Sequence, residues 1–192
     1  AIGHQAEASG ADSISIGTLS GASNTHSIAI GDKARAYGID AIAFGASANA
    51  TATNAMAVGR NARSTAGGSV AVGINTEVTQ INSVAMGATA KAYGDSAVSL
   101  GVDVVSRGHS AVAVGANADA LAQSAVSIGD STLANAHNAV SVGISSQATA
   151  ERAIAMGDST TATAWDGVAI GTAAKANATG AVAIGKDALA NQ

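Results

Sequence analysis

The chain has 192 residues, 47% of them hydrophobic but only 2% aromatic, with 23 glycines, no proline, no cysteine and a formal net charge of −4. That composition excludes a core of large side chains, disulfides and thiolate metal sites, and it supplies no basic footprint for nucleic acid. No apolar run reaches the 18 residues of a membrane-spanning helix, and the first residues lack the charged and apolar regions of a signal peptide.

Taken in chain order, one feature organises everything that follows. Glycine recurs at Gly3, Gly17, Gly31, Gly45, Gly59, Gly73, Gly87, Gly101, Gly115, Gly129, Gly143, Gly157, Gly171 and Gly185, always 14 residues apart. A fixed internal period overrides any element-by-element reading. The residue before each glycine is a larger apolar one, such as Ile30, Phe44, Met86 or Val114, and the residue three before it is Ile, Val or Met. The residues two and four before are Ala or Ser, with Gly167 the one exception. Alternation of small and large with a period of two predicts a short strand, and the β-branched residues suit it.

After the glycine come two variable residues and then a second alternation. Positions three and five after it are mostly alanine, as in Ala34 and Ala36 or Ala90 and Ala92, whereas positions four and six vary freely. That pattern predicts a second short strand with one small-residue face. Each repeat is therefore read as two strands and two tight turns, and stacked repeats as two facing parallel sheets. The repeat glycine implies either a positive φ or a backbone approach too close for a side chain.

The faces are assigned by size. The Ile and Val columns are expected to point inward from one sheet, against the alanine columns of the other, large filling against small. All 9 Lys and Arg and all 13 Asp and Glu fall one, two, four, six, eight or nine residues after the glycine. None falls on the columns two and four before it, which by this parity point away from the coil's own core. Those columns, represented by Ala29, Ala43, Ala57, Ala71, Ala85, Ala113, Ala155 and Ala169, are accordingly expected to pack against identical chains. The competing reading is that small residues there merely suit sheet stacking. Thin coils support association: ordering one costs on the order of 20 kcal/mol of backbone entropy, against roughly 3–6 kcal/mol from its two larger aliphatics. An obligate homo-oligomer is the expectation.

The segments His26-Ser27-Ile28-Ala29-Ile30-Gly31, Asp40-Ala41-Ile42-Ala43-Phe44-Gly45 and Asn82-Ser83-Val84-Ala85-Met86-Gly87 carry a family resemblance. With the Ala-x-Ala-x-Gly that follows in several copies, the pattern resembles the YadA-like head repeat of trimeric autotransporter adhesins, in unbroken register over essentially the whole chain. The resemblance implies an all-β, left-handed parallel β-roll, a β-solenoid of fourteen 14-residue coils, with three chains around one axis. It implies one repeat-built head domain over residues 1–192, a fragment whose stalk, neck and membrane anchor lie elsewhere. It also implies display on a bacterial outer membrane, with the homotrimer itself and host matrix proteins, cell-surface receptors or glycans as partners.

No catalytic constellation stands out, and neither enzyme activity nor a cofactor is expected. His109 and His137 share a column two coils apart, roughly 10 Å, too far for one metal ion. Asp130 and Asp158 read as solvated turn residues. The glycines lack the strand–turn–helix context of a phosphate loop. Outward aromatic residues beside cations are the better lead, because interfaces favour Tyr, Trp and Arg anchors. Tyr37 with Arg35 and Tyr93 with Lys91 are candidates on the second strand, and Trp165 is a candidate in a turn. The functional expectation is an adhesive head acting through many weak contacts, with a rigid spacer as the alternative.

Overall fold

The computed structural model describes residues 1–192, all in strands, turns and connecting residues, with no helix. The chain divides into two compact units, Ala1–Ser96 and Ala97–Gln192. In the first unit, three-residue strands Ile14–Ile16, Ile28–Ile30, Ile42–Phe44, Met56–Val58, Val70–Val72 and Val84–Met86 pair side by side in that order, all parallel. Two-residue strands from Glu7–Ala8 to Lys91–Ala92 form a second parallel sheet. The second unit repeats the arrangement, with three-residue strands from Val98–Leu100 to Val182–Ile184 and two-residue strands from Val105–Ser106 to Leu189–Ala190. Register is set by the repeat: Ile28 faces Ile42, Ala29 faces Ala43 and Ile30 faces Phe44. The expected all-β solenoid of stacked parallel coils is the observed fold.

Each coil turns two corners, and both use a left-handed residue. These lie two and nine residues after the repeat glycine, at φ of 52–59° for every non-glycine occupant, with Gly68 and Gly180 at 65° and 70°. Asn, Asp and Ser dominate because they tolerate this region, but Leu19, Lys33, Arg152 and Ala173 occupy it too. The corner N–H groups donate to the preceding coil, Lys33 to the Thr18 carbonyl at 2.8 Å and Asp40 to that of Thr25 at 3.0 Å. The repeat glycines sit at φ of 120–142°, a region reserved for glycine. At Gly31 a Cβ would also lie 2.5 Å from the carbonyl oxygen of Gly45. Positive φ and backbone crowding therefore both select glycine.

The inward and outward assignments of the longer strands are the reverse of the expectation. Ala29, Ala43, Ala57, Ala71, Ala85, Ala113, Ala155 and Ala169 are completely buried within their own chain. They line the coil interior and cannot meet a sister chain. The Ile, Val, Met and Phe columns beside them point outward, half-buried to exposed. The alanine columns of the shorter strands do point inward, as expected.

The reason is the width of the coil. Facing hydroxyls bridge the interior directly, Ser64 to Ser69 at 2.6 Å, Ser141 to Ser146 at 2.6 Å and Ser15 to Ser20 at 2.7 Å. Two small side chains thus span the gap between sheets. The largest fully buried apolar residues are Val78 and Val104, and a layer of isoleucines would not fit. Paired hydroxyls are tolerated there because each satisfies the other, and the Thr76 and Thr160 hydroxyls donate instead to the carbonyls of Gly87 and Gly171.

Candidate functional site

In each unit, the outer face of the longer-strand sheet carries two columns of Ile, Val, Met, Leu and Phe and no charged residue. In-register stacking half-covers each side chain with its column neighbours, yet Met86 remains 46% exposed and Phe44 51%. Parallel sheets are ordinarily covered on both faces, and a sheet face left in water ordinarily carries polar residues. An apolar face this extensive is unusual for a surface left in water.

The outer face of the shorter-strand sheet is different in kind. Its two outward columns hold mostly polar, charged and aromatic side chains, with Val105, Leu121, Leu133 and Leu189 among them. Parallel pairing sets Arg35, Asn49, Arg63, Glu77 and Lys91 on consecutive strands of one column. Arg63 donates to Glu77 at 2.9 Å, and the Tyr93 hydroxyl donates to the other oxygen of the same carboxylate at 2.6 Å. Tyr37 lies across Gly21, the one residue in that column without a side chain, and is 42% exposed. The candidates Arg35, Tyr37, Lys91 and Tyr93 therefore share one face of the first unit, with Arg35 and Lys91 four strands apart.

A family model described as the YadA head domain repeat, in two copies, matches residues 1–20, 22–48, 50–76, 79–103, 106–132, 134–160 and 161–188. The chain belongs to the YadA head domain repeat family. A search of the curated proteins finds no match. Most of the matched segments span close to two of the 14-residue repeats, and together they cover nearly every coil.

In this YadA head domain Trp165 stands apart from the tyrosines, at a corner of the second unit, 55% exposed. The Arg152 guanidinium stacks 5.7 Å from its ring centroid, a favourable cation–π arrangement. Arg152 also forms a bidentate pair with Asp166, Nε to Oδ1 at 2.6 Å and Nη2 to Oδ2 at 2.8 Å, and reaches Glu151 at 3.1 Å. Hydrogen bonding from Arg152 holds the Asp166 carboxyl below the usual carboxylate range and raises the guanidinium in turn. A second corner cluster places His26 Nδ1 3.0 Å from Asp40 Oδ1, with Nε2 3.9 Å from Asp12 Oδ2. No group of three or more His, Asp or Glu side chains is arranged to hold a metal ion.

These pairings escaped the sequence reading, although the period predicts them. Arg63 and Glu77, Arg152 and Asp166, and His26 and Asp40 are each 14 residues apart, which makes them neighbours on adjacent coils. A basic side chain and an acid at that separation is the signal common to all three.

Proposed function

We propose that the chain is the head domain of a trimeric autotransporter adhesin, displayed at the surface of a Gram-negative bacterium and anchored in its outer membrane by a segment outside residues 1–192. It works as one head domain and as a homotrimer. The observation that carries this reading is the uncharged apolar face of the longer-strand sheet. Each chain turns that face to its two sisters. Rotation about a threefold axis closes such a heterologous contact into a ring and leaves no sticky surface exposed. Burying the face adds the apolar area that the alanine interior of a coil lacks.

That arrangement leaves the opposite sheet face, with Arg35, Tyr37, Lys91 and Tyr93, and the Trp165 corner turned to solvent. Attachment to host matrix proteins or cell-surface receptors uses those residues. The trimer presents each patch three times, and many trimers per cell multiply weak contacts into firm adhesion. The test is solid-phase binding of the purified chain to collagen, fibronectin and laminin. Tyr37→Ala combined with Tyr93→Ala lowers binding while the thermal melt stays cooperative. A chain that adheres to none of these surfaces nor to host cells is a spacer rather than an adhesive head.

A further inference from the structure

One stretch of the first unit carries a local excess of cations that neither the fold nor self-association requires. Between residues 32 and 63 lie Lys33, Arg35, Arg60 and Arg63 against Asp32 and Asp40, in a chain whose net charge is −4. Asp40 is spent at the opposite corner on His26. Lys33, Arg35 and Arg60 are exposed and make no ion pair, and Arg63 gives one guanidinium nitrogen to Glu77. A guanidinium has five donors, so most of Arg63 remains available.

The geometry of the column narrows the occupant. Arg35 and Arg63 flank Asn49 in register, which spaces the two arginines roughly 10 Å apart. The Asn49 amide oxygen is buried with no hydrogen-bond partner. That oxygen has essentially no accessible surface, so it lies beneath the side chains of the column and out of reach of a bound molecule. Beside the column, the exposed Tyr37 ring offers a flat apolar surface on the same sheet face. Anionic groups for the cations and a C–H face for the Tyr37 ring occur together in sulfated sugars. Single-stranded nucleic acid would need a series of stacking aromatics, and this face has one exposed ring.

We infer that this face binds a linear sulfated polysaccharide, with Lys33, Arg35, Arg60 and Arg63 on its sulfates and carboxylates. This deepens the adhesive reading and rests on it. The Tyr37 ring stacks on the sugar, and the cations set both the affinity and its dependence on salt.

The test uses the full chain and three probes: a heparin decasaccharide, its desulfated counterpart and a single-stranded DNA of equal charge. Calorimetry at several salt concentrations should show binding to the heparin fragment and weaker binding to the other two. The triple variant K33N/R35Q/R60Q should lose roughly tenfold or more in affinity and flatten the salt dependence. The matched variant R107Q/K175Q/K186Q, which removes the same charge from the second unit, should bind as the parent does. Equal losses in both variants, equal affinity for the DNA, or no binding to the heparin fragment at low salt would each overturn the inference. Matrix-protein adhesion measured in parallel separates the two readings: adhesion without heparin binding removes only the polysaccharide, and loss of both removes the adhesive role as well.

Discussion

Ala43 is completely buried, and Phe44, the next residue on the same strand, is 51% exposed. In most proteins the larger apolar side chain would be the inside one. Here the gap between the sheets admits only Ala, Ser, Thr and an occasional Val, so size is sorted outward. Two consequences separate cleanly by mutation.

Enlarging an interior alanine should break the coil. Ala85→Leu adds volume to a site with no space around it, and overpacking of a rigid layer costs about 3 kcal/mol or more. Chemical denaturation would register it as a lower midpoint, and loss of the folded state altogether is the extreme of the same outcome.

Charging the outer columns should spare the coil and break the assembly. Met86 and Ile128 both point outward and are exposed in the single chain. Met86→Lys with Ile128→Lys should leave a β-rich circular dichroism spectrum but lower the mass measured by light scattering. An unchanged oligomer would mean that the apolar face is not where the chains meet.

Replacing a repeat glycine tests the backbone. Gly31 sits at φ 134°, and an added Cβ would collide with the Gly45 carbonyl. Gly31→Ala combines dihedral strain with that collision, and about 3 kcal/mol of destabilisation is expected. The melting temperature reads it directly.

The corners offer a change of the opposite sign. Ala173 holds φ 57°, and its N–H donates to the Asp158 carbonyl at 2.8 Å. Asn adopts this region more readily than Ala without the unfolded-state entropy of Gly. Ala173→Asn should therefore stabilise the chain by a few tenths to about 1 kcal/mol. A melt that falls instead would show that the corner is held by packing rather than by its dihedral preference.

Two carboxylates should respond to pH with opposite signs. Burial raises Asp119, partly offset by Arg107, so its charged form is disfavoured in the folded chain. Asp119→Asn should raise the melting temperature at neutral pH, with the gain disappearing in acid once the native carboxyl is protonated in both states. Asp166 is lowered by its bond from Arg152. Its contribution is present at neutral pH and is lost as the pH falls through its depressed value. Asp166→Asn should therefore lower the melt slightly at neutral pH and not at all in strong acid, and added salt should shrink the effect of so exposed a pair.

The 14-residue period, the two strands per coil, the parallel register and the need for glycine at the end of each longer strand were all legible from spacing alone, because a period of two within a period of 14 leaves little else to build. The candidates Arg35, Tyr37, Lys91 and Tyr93 were also placed on one outer face by column arithmetic, since residues 14 apart must stack. The direction of the longer strands was not legible. Alternation of Ala29 with Ile28 and Ile30 says that the two kinds of residue lie on opposite sides, and it is silent on which side is inside. That choice was made by the coil's narrow interior, visible only where Ser64 meets Ser69 across it. The same folding brought Arg152 over Trp165 and left the Asn49 amide oxygen without a donor, because both depend on where side chains lean between neighbouring coils rather than on which column they occupy.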